Sequence, residues 1–162
     1  MFAYFCSSID SASSGAKLWR QKLAPFLRER VGHRVYDPAE EEARILTLEE
    51  AANFAHWKTT DLDRFRRMMR RVVAANTEII EHKADYLICY WDADGGQGGV
   101  PAEVTLAYRK GIPVYLIAAV PIEQVSSWVL GCSDQVFSSV ESLKEYLAAR
   151  FIREKQTHLW KK

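Results

Sequence analysis

Residues 85–118 read DYLICYWDADGGQGGVPAEVTLAYRKGIPVYLIA, and their order decides the fold. Asp85 to Trp91 is a near-continuous apolar run rich in β formers, as expected of a central strand covered on both faces. The polar segment Asp92 to Gly99 breaks it. Pro101, a favoured first-turn residue, then opens a helix that runs to Lys110, and Gly111 stops it. Ile112 to Ala118 reads as a second buried strand. Strand, helix and strand in so short a span predict a parallel crossover unit.

The flanks repeat the alternation. Phe2–Cys6, His33–Tyr36 and Gln135–Phe137 are the remaining predicted strands. Helices are predicted from Ala16 to Arg30 (with Trp19, Leu23, Phe26 and Leu27 inward), around the acidic stretch to Phe54, over Asp61–Lys83, over Val120–Leu130 and over Val140–Phe151. Pro25 is expected to bend the first of these. Thr47 with Glu50 three residues on forms a capping box. On Asp61–Lys83 the pattern predicts Leu62, Phe65, Met69, Val72, Val73, Ile79 and Ile80 on the buried side. Arg64, Arg67 and Arg71 fall on the other, solvated one. The prediction is an α/β fold, a doubly wound (flavodoxin-like) five-stranded parallel sheet with helices on both faces. One domain spans 1–151, followed by a polar tail, 152–162.

Bulk composition narrows the function. A net charge of +1, from 22 basic and 21 acidic residues mixed along the chain, argues against a nucleic-acid surface, which needs a field of one sign. No apolar run approaches the roughly 20 residues that span a bilayer, so no membrane association is expected. The start is too quickly polar for a secretory signal. Cys6, Cys89 and Cys132 are odd in number and set among apolar residues, which suits free thiols in a reducing cytoplasm. No metal-ligand spacing occurs, and no cofactor is expected.

Ligands of such sheets bind at the carboxyl ends of the strands, near the switch in strand order. This directs attention to the loops that start at Ser7, Asp37 and Asp92. Ser7, Ser8 and Asp10 are candidates for sugar hydroxyls or a 5′-phosphate, set against a solvated turn as the plainer alternative. Asp37 is a candidate for ribose or base contact, or else a turn or cap residue before Pro38. Glycines 95, 96, 98 and 99 let backbone N–H groups approach a ligand, which makes Gly98 and Gly99 candidates with Gln97 between them and Gly96. The loop is neither GxxxxGKS nor a GxGxxG after the first strand, so P-loop and dinucleotide readings fail. Glu103 stands in the first turn of the helix that follows, where the dipole favours an ionised carboxylate. Glutamate is also simply common there.

Further short segments carry a resemblance: the opening Tyr4-Phe5-Cys6-Ser7-Ser8-Ile9; Gly99 to Glu103 as G-x-x-x-E, with Ala107 and Gly111-Ile112-Pro113-Val114; and Ser127-Trp128, Ser133-Asp134 and Leu143-Lys144. In this order they resemble the nucleoside 2-deoxyribosyltransferases, and the opening is still more similar to the related 2′-deoxynucleoside 5′-monophosphate N-glycosidases. The likeness runs from Tyr4 to about Leu147, apart from a longer stretch between Glu40 and Arg71. It implies Glu103 as nucleophile and Tyr4 as the hydroxyl that orients it. It also implies two aspartates, at positions that here hold Gln97 and Asn76 or Thr77. Asp92 or Asp94, on the same loop as Gln97, is then expected to protonate the departing base. Gln124 lies near the family's asparagine that enters a neighbouring subunit's site, which implies a homo-oligomer with shared sites. The partner expected is a small-molecule nucleoside or nucleotide. Two classes of function follow: N-glycosidic cleavage or transfer, and a non-catalytic nucleotide-binding or sensing domain that has lost its acids.

Overall fold

Side chains alternate along Phe2–Cys6 (β1), and the alternation divides the molecule: Tyr4 and Cys6 enter one core, Ala3 and Phe5 the other. The computed structural model describes residues 1–7, 14–93 and 99–153. With β2 (Arg34–Tyr36), β3 (Tyr86–Trp91), β4 (Val114–Ala118) and β5 (Gln135–Phe137), β1 forms a parallel sheet in the order β2-β1-β3-β4-β5. This is the flavodoxin-like order, and it reverses between β1 and β3. Tyr4 sits opposite Tyr36 on one side and Leu87 on the other, and Cys6 opposite Cys89.

Helices α1 (Ser14–Pro25) and α7 (Val140–Ala148) cover the Ala3/Phe5 face through Trp19, Leu23, Leu143 and Leu147. Pro25 lacks the N–H that would bond one turn back, and the chain continues past it as a wider π-helical segment, Phe26–Val31. Gly32, at a φ of 76°, ends this segment in the left-handed region. A second π-helical turn, Ala149–Arg153, follows α7. It keeps Phe151 and Ile152 against the core, so the predicted tail begins in ordered structure. Residues 154–162 lie outside the described residues.

On the other face lie α4 (Leu62–His82), α5 (Val100–Lys110) and α6 (Ser127–Gly131). The stretch from Glu40 to Arg71 contains the end of α2 (Pro38–Ile45) and α3 (Leu48–Thr60), and it builds a satellite core from Leu46, Trp57, Met68 and Val72. The Thr47/Glu50 box is present: Glu50 N–H donates to Thr47 Oγ1 at 3.2 Å and Thr47 N–H to Glu50 Oε2 at 2.9 Å.

Two expectations are corrected. The buried stripe of α4 is Met68, Val72, Asn76 and Ile80. Of the predicted side, Val72 and Ile80 are buried and Phe65, Met69 and Ile79 pack against the cores, while Leu62 and Val73 are exposed, at 59% and 54%. The arginines do lie on the solvated side, the Arg64 and Arg71 side chains 42% and 50% exposed. Arg71 bonds Glu50 at 2.5 Å, while Arg64 bonds Glu49 at 2.7 Å and lies 3.7 Å above the Trp57 ring, tying α4 to α3. The predicted helix over Val120–Leu130 is instead a 3₁₀ turn, Ile122–Gln124, followed by α6. Between them the β-branched Val125 is extended, at φ −79° and ψ 137°, and buried.

Candidate functional site

The carboxyl end of β1 and the amino end of α5 meet beneath α4. Because β1 residues two apart share a face, Tyr4 and Cys6 both point toward α5. Gly99 N-caps α5, and Glu103 occupies its first turn with its N–H bonded to Gly99 O at 2.9 Å. The Tyr4 hydroxyl donates to Glu103 Oε1 at 2.6 Å, a short, charge-assisted bond across 99 residues of sequence. From α4, Asn76 Nδ2 approaches the same oxygen at 3.5 Å. Tyr36, at the end of β2, donates to Asn76 Oδ1 at 3.1 Å, and its ring stacks on Tyr4 with centroids 5.4 Å apart.

These contacts set the electrostatics. Burial raises the Glu103 carboxyl above the usual carboxylate range, against the lowering effect of hydrogen bonds from Tyr4, Cys6 and Asn76. Burial, and then the charge of Glu103, pushes the Tyr4 phenol far up, so Tyr4 stays a proton donor to the carboxylate. The Cys6 thiol is also pushed well up, first by its hydrogen bond with Cys89 and then by burial. It is held as a neutral thiol rather than a reactive thiolate.

Beside the carboxylate opens a cavity of about 290 Å³. Met69, Val72, Val73, Val100 and Ala102 make its walls apolar, while Ser7, Asn76, Thr77 and Glu103 supply the polar groups. Few polar groups converging in an apolar cleft is the usual form of a small-molecule site. Val73 is exposed because it faces this opening. A carboxylate partly withdrawn from water and steadied on one oxygen suits attack on, or stabilisation of, an electron-poor carbon.

The sequence candidates divide. Tyr4, Glu103, Ser7 and Gly99 come together here. Asp37 does not line the cavity. It is buried, N-caps α2 by accepting from Ala39 N–H at 3.0 Å, and pairs with Arg20 Nε at 3.1 Å. Arg20 also donates to Ser7 Oγ. Asp92 follows β3 and is half-buried away from the cavity lining, and Gln124 is exposed at the end of its 3₁₀ turn. Ser8, Asp10, Asp94, Gln97 and Gly98 lie outside the described residues.

Sequence reasoning missed Arg20 and Tyr36. The signal for Tyr36 was its register: it falls directly opposite Tyr4 once β1 and β2 are paired. Among the later motif segments, Asp134 serves the sheet, its Oδ2 accepting from Val114 N–H at 2.8 Å. Trp128 is 64% exposed and donates to Thr105 Oγ1 at 2.7 Å. Among the described residues, no group of three His, Cys, Asp or Glu side chains could hold a metal ion, and no helix is long and apolar enough to cross a membrane.

Neither a protein-family model nor a curated protein matches the chain. Solved structures do. A 2-deoxyribosyltransferase from Bacillus psychrosaccharolyticus superposes with a TM-score of 0.59 at 17% identity, covering 89% of this chain and 90% of its own. A conserved protein from Enterococcus faecalis V583 gives 0.64 at 20% identity, covering 93% and 98%. The chain therefore has a nucleoside 2-deoxyribosyltransferase-like fold, the flavodoxin-like parallel α/β architecture.

Proposed function

We propose that this protein cleaves, or transfers at, the N-glycosidic bond of a nucleoside or nucleotide, with Glu103 as nucleophile. The observation that carries the reading is the Tyr4–Glu103 hydrogen bond in a small apolar cleft at the strand carboxyl ends. Such a bond breaks through an oxocarbenium-like state, which a carboxylate beneath the anomeric carbon captures as a covalent glycosyl intermediate. In the first step a carboxylate lone pair forms the bond to that carbon, while the glycosidic electron pair leaves with the base, which takes up a proton. In the second, water or an incoming base attacks the same carbon, returns the electron pair to Glu103 and loses a proton. Water gives hydrolysis and a second base gives transfer.

Asp92 or Asp94 is the proposed proton source. The proposed substrate contacts are Ser7, Ser8, Asp10, Gln97, Gly98 and Gly99, with Asp37 acting through Arg20 on Ser7 and Gln124 reaching a neighbouring subunit in a homo-oligomer. Three buried free thiols support a reducing, cytoplasmic setting.

A second reading, a nucleotide-binding or sensing domain without turnover, draws on the cavity lining. Glu103 is its only acidic side chain among the described residues, and Asn76 or Thr77, both in the lining, stands where the resemblance expects an aspartate. Incubation with the common nucleosides and their 5′-monophosphates, with free base read by chromatography, separates the two. The enzyme reading expects base from the wild type and none from Glu103→Ala. Release by both variants removes the nucleophile, and tight ligand binding without release establishes the sensor.

A further inference from the structure

Tyr36 is two strands away from α5 and touches no cavity-lining carboxylate, yet it shares a chain of hydrogen bonds with Glu103. Its hydroxyl meets Asn76 Oδ1 at 3.1 Å, and Asn76 Nδ2 lies 3.5 Å from Glu103 Oε1, the oxygen that Tyr4 already holds at 2.6 Å. Asn76 is 5% exposed, so its amide has little water to fall back on.

An amide can face a carboxylate in two ways. With Nδ2 toward Glu103 it offers a donor. Turned over, it aims Oδ1 at a carboxylate oxygen with no proton between them. The carboxylate, an acceptor only, favours the first arrangement, and a hydroxyl that donates to Oδ1 from the far side reinforces it. The phenol of Tyr36 does this, and its ring is fixed in turn by stacking on Tyr4, 13° from parallel.

Resting on the glycosyl reading above, we propose that Tyr36 and Asn76 are positioning residues for the nucleophile: Tyr36 locks the Asn76 amide, and the amide with Tyr4 holds Oε1 so that Oε2 attacks. In the capture step the Oε2 lone pair forms the bond to the anomeric carbon, and the glycosidic pair departs with the base. The 3.5 Å contact shortens as the reacting carbon draws the carboxylate into line, as catalytic hydrogen bonds commonly tighten toward the transition state. The groups facing Glu103 in this arrangement are Tyr4 and Cys6 from β1, Tyr36 from β2 and Asn76 from α4.

The test is a double-mutant cycle on base release with Tyr36→Phe and Asn76→Ala. Phenylalanine keeps the stack and removes only the hydroxyl. Each single variant lowers kcat by about two- to tenfold, the worth of one net hydrogen bond, with KM unchanged. In each, the acid limb of the pH profile moves to higher pH. The double variant is no slower than Asn76→Ala, because Tyr36 acts through the amide. Independent, additive losses, or an unchanged pH profile in Tyr36→Phe, overturn the proposal. Titration of the Glu103 side-chain carboxyl carbon by NMR needs no turnover. Its midpoint rises in Tyr36→Phe if the relay exists and stays put if it does not. Base release that survives Glu103→Ala removes Glu103 as nucleophile, and absence of release from every variant sinks the glycosyl reading; either leaves that titration to judge the relay.

Discussion

Tyr4 and Glu103, 99 residues apart, are joined by a 2.6 Å bond from phenol to carboxylate. Removing the donor leaves a withdrawn carboxylate with less to steady it. A hydrogen bond to a charged group contributes about 1.5–3 kcal/mol. Tyr4→Phe therefore lowers kcat for base release by about 10- to 150-fold. Because Tyr4 lowers the Glu103 titration from its raised position, its loss moves the acid limb of the rate profile further up. A pH–rate series on the two proteins measures both effects, and an unshifted limb would remove Tyr4 from the orienting role.

Stability carries the opposite sign. The Glu103 carboxyl titrates above its unfolded value of about 4.3 in the folded protein. Its protonated form is therefore the one that folding favours. The stability it contributes is complete below the unfolded value and is lost as pH rises through the folded one. Glu103→Gln, neutral at every pH, escapes that loss. The variant should match the wild type in melting temperature in acid and exceed it at neutral pH, as thermal unfolding across the range will show. An equal difference at both ends would mean that the carboxylate is not under strain from burial.

Proton delivery to the base is proposed for Asp92 or Asp94. One of Asp92→Asn and Asp94→Asn is expected to slow base release by about 10²–10⁴-fold, the usual range for a general acid. The loss should vanish with a substrate whose leaving group departs without needing a proton. If neither variant changes release of an ordinary purine or pyrimidine, both aspartates drop out of the mechanism.

Trp57 is 6% exposed and anchors the satellite core, with Arg64 stacked on its ring. Trp57→Ala should cost about 3–5 kcal/mol in denaturant unfolding. It should also weaken substrate binding, because Val72 belongs both to that core and to the cavity wall. A large stability loss with KM untouched would show that α3 does not support the site.

The sheet was legible because its signals are local. Asp85 to Trp91 is apolar throughout, Pro101 and Gly111 bracket α5, and Gly111 does adopt the left-handed turn, at a φ of 69°. Glu103 was marked as a candidate by its place in the first turn of α5, whereas Tyr4 became one only through the family resemblance. Tyr36 and Arg20 were not legible, since the roles of a strand-end tyrosine and a helical arginine emerge only when β1, β2 and α1 are brought together. The buried stripe of α4 was misjudged for a related reason. Periodicity reports that a helix has an apolar side, but the neighbours decide which side is covered, and here a polar Asn76, bonded to Tyr36 and Glu103, is part of the interior stripe.

Val72 is held in common by two structures with separate duties. Through it, a change in the packing of the α2–α3 excursion reaches the apolar wall of the cleft without passing through β1 or α5, where the carboxylate and its phenol are fixed. The shape of the slot can thus be altered from a peripheral helix pair, but only by substitutions that leave α4 in register, since one turn beyond Val72 the same helix carries Asn76 against the carboxylate.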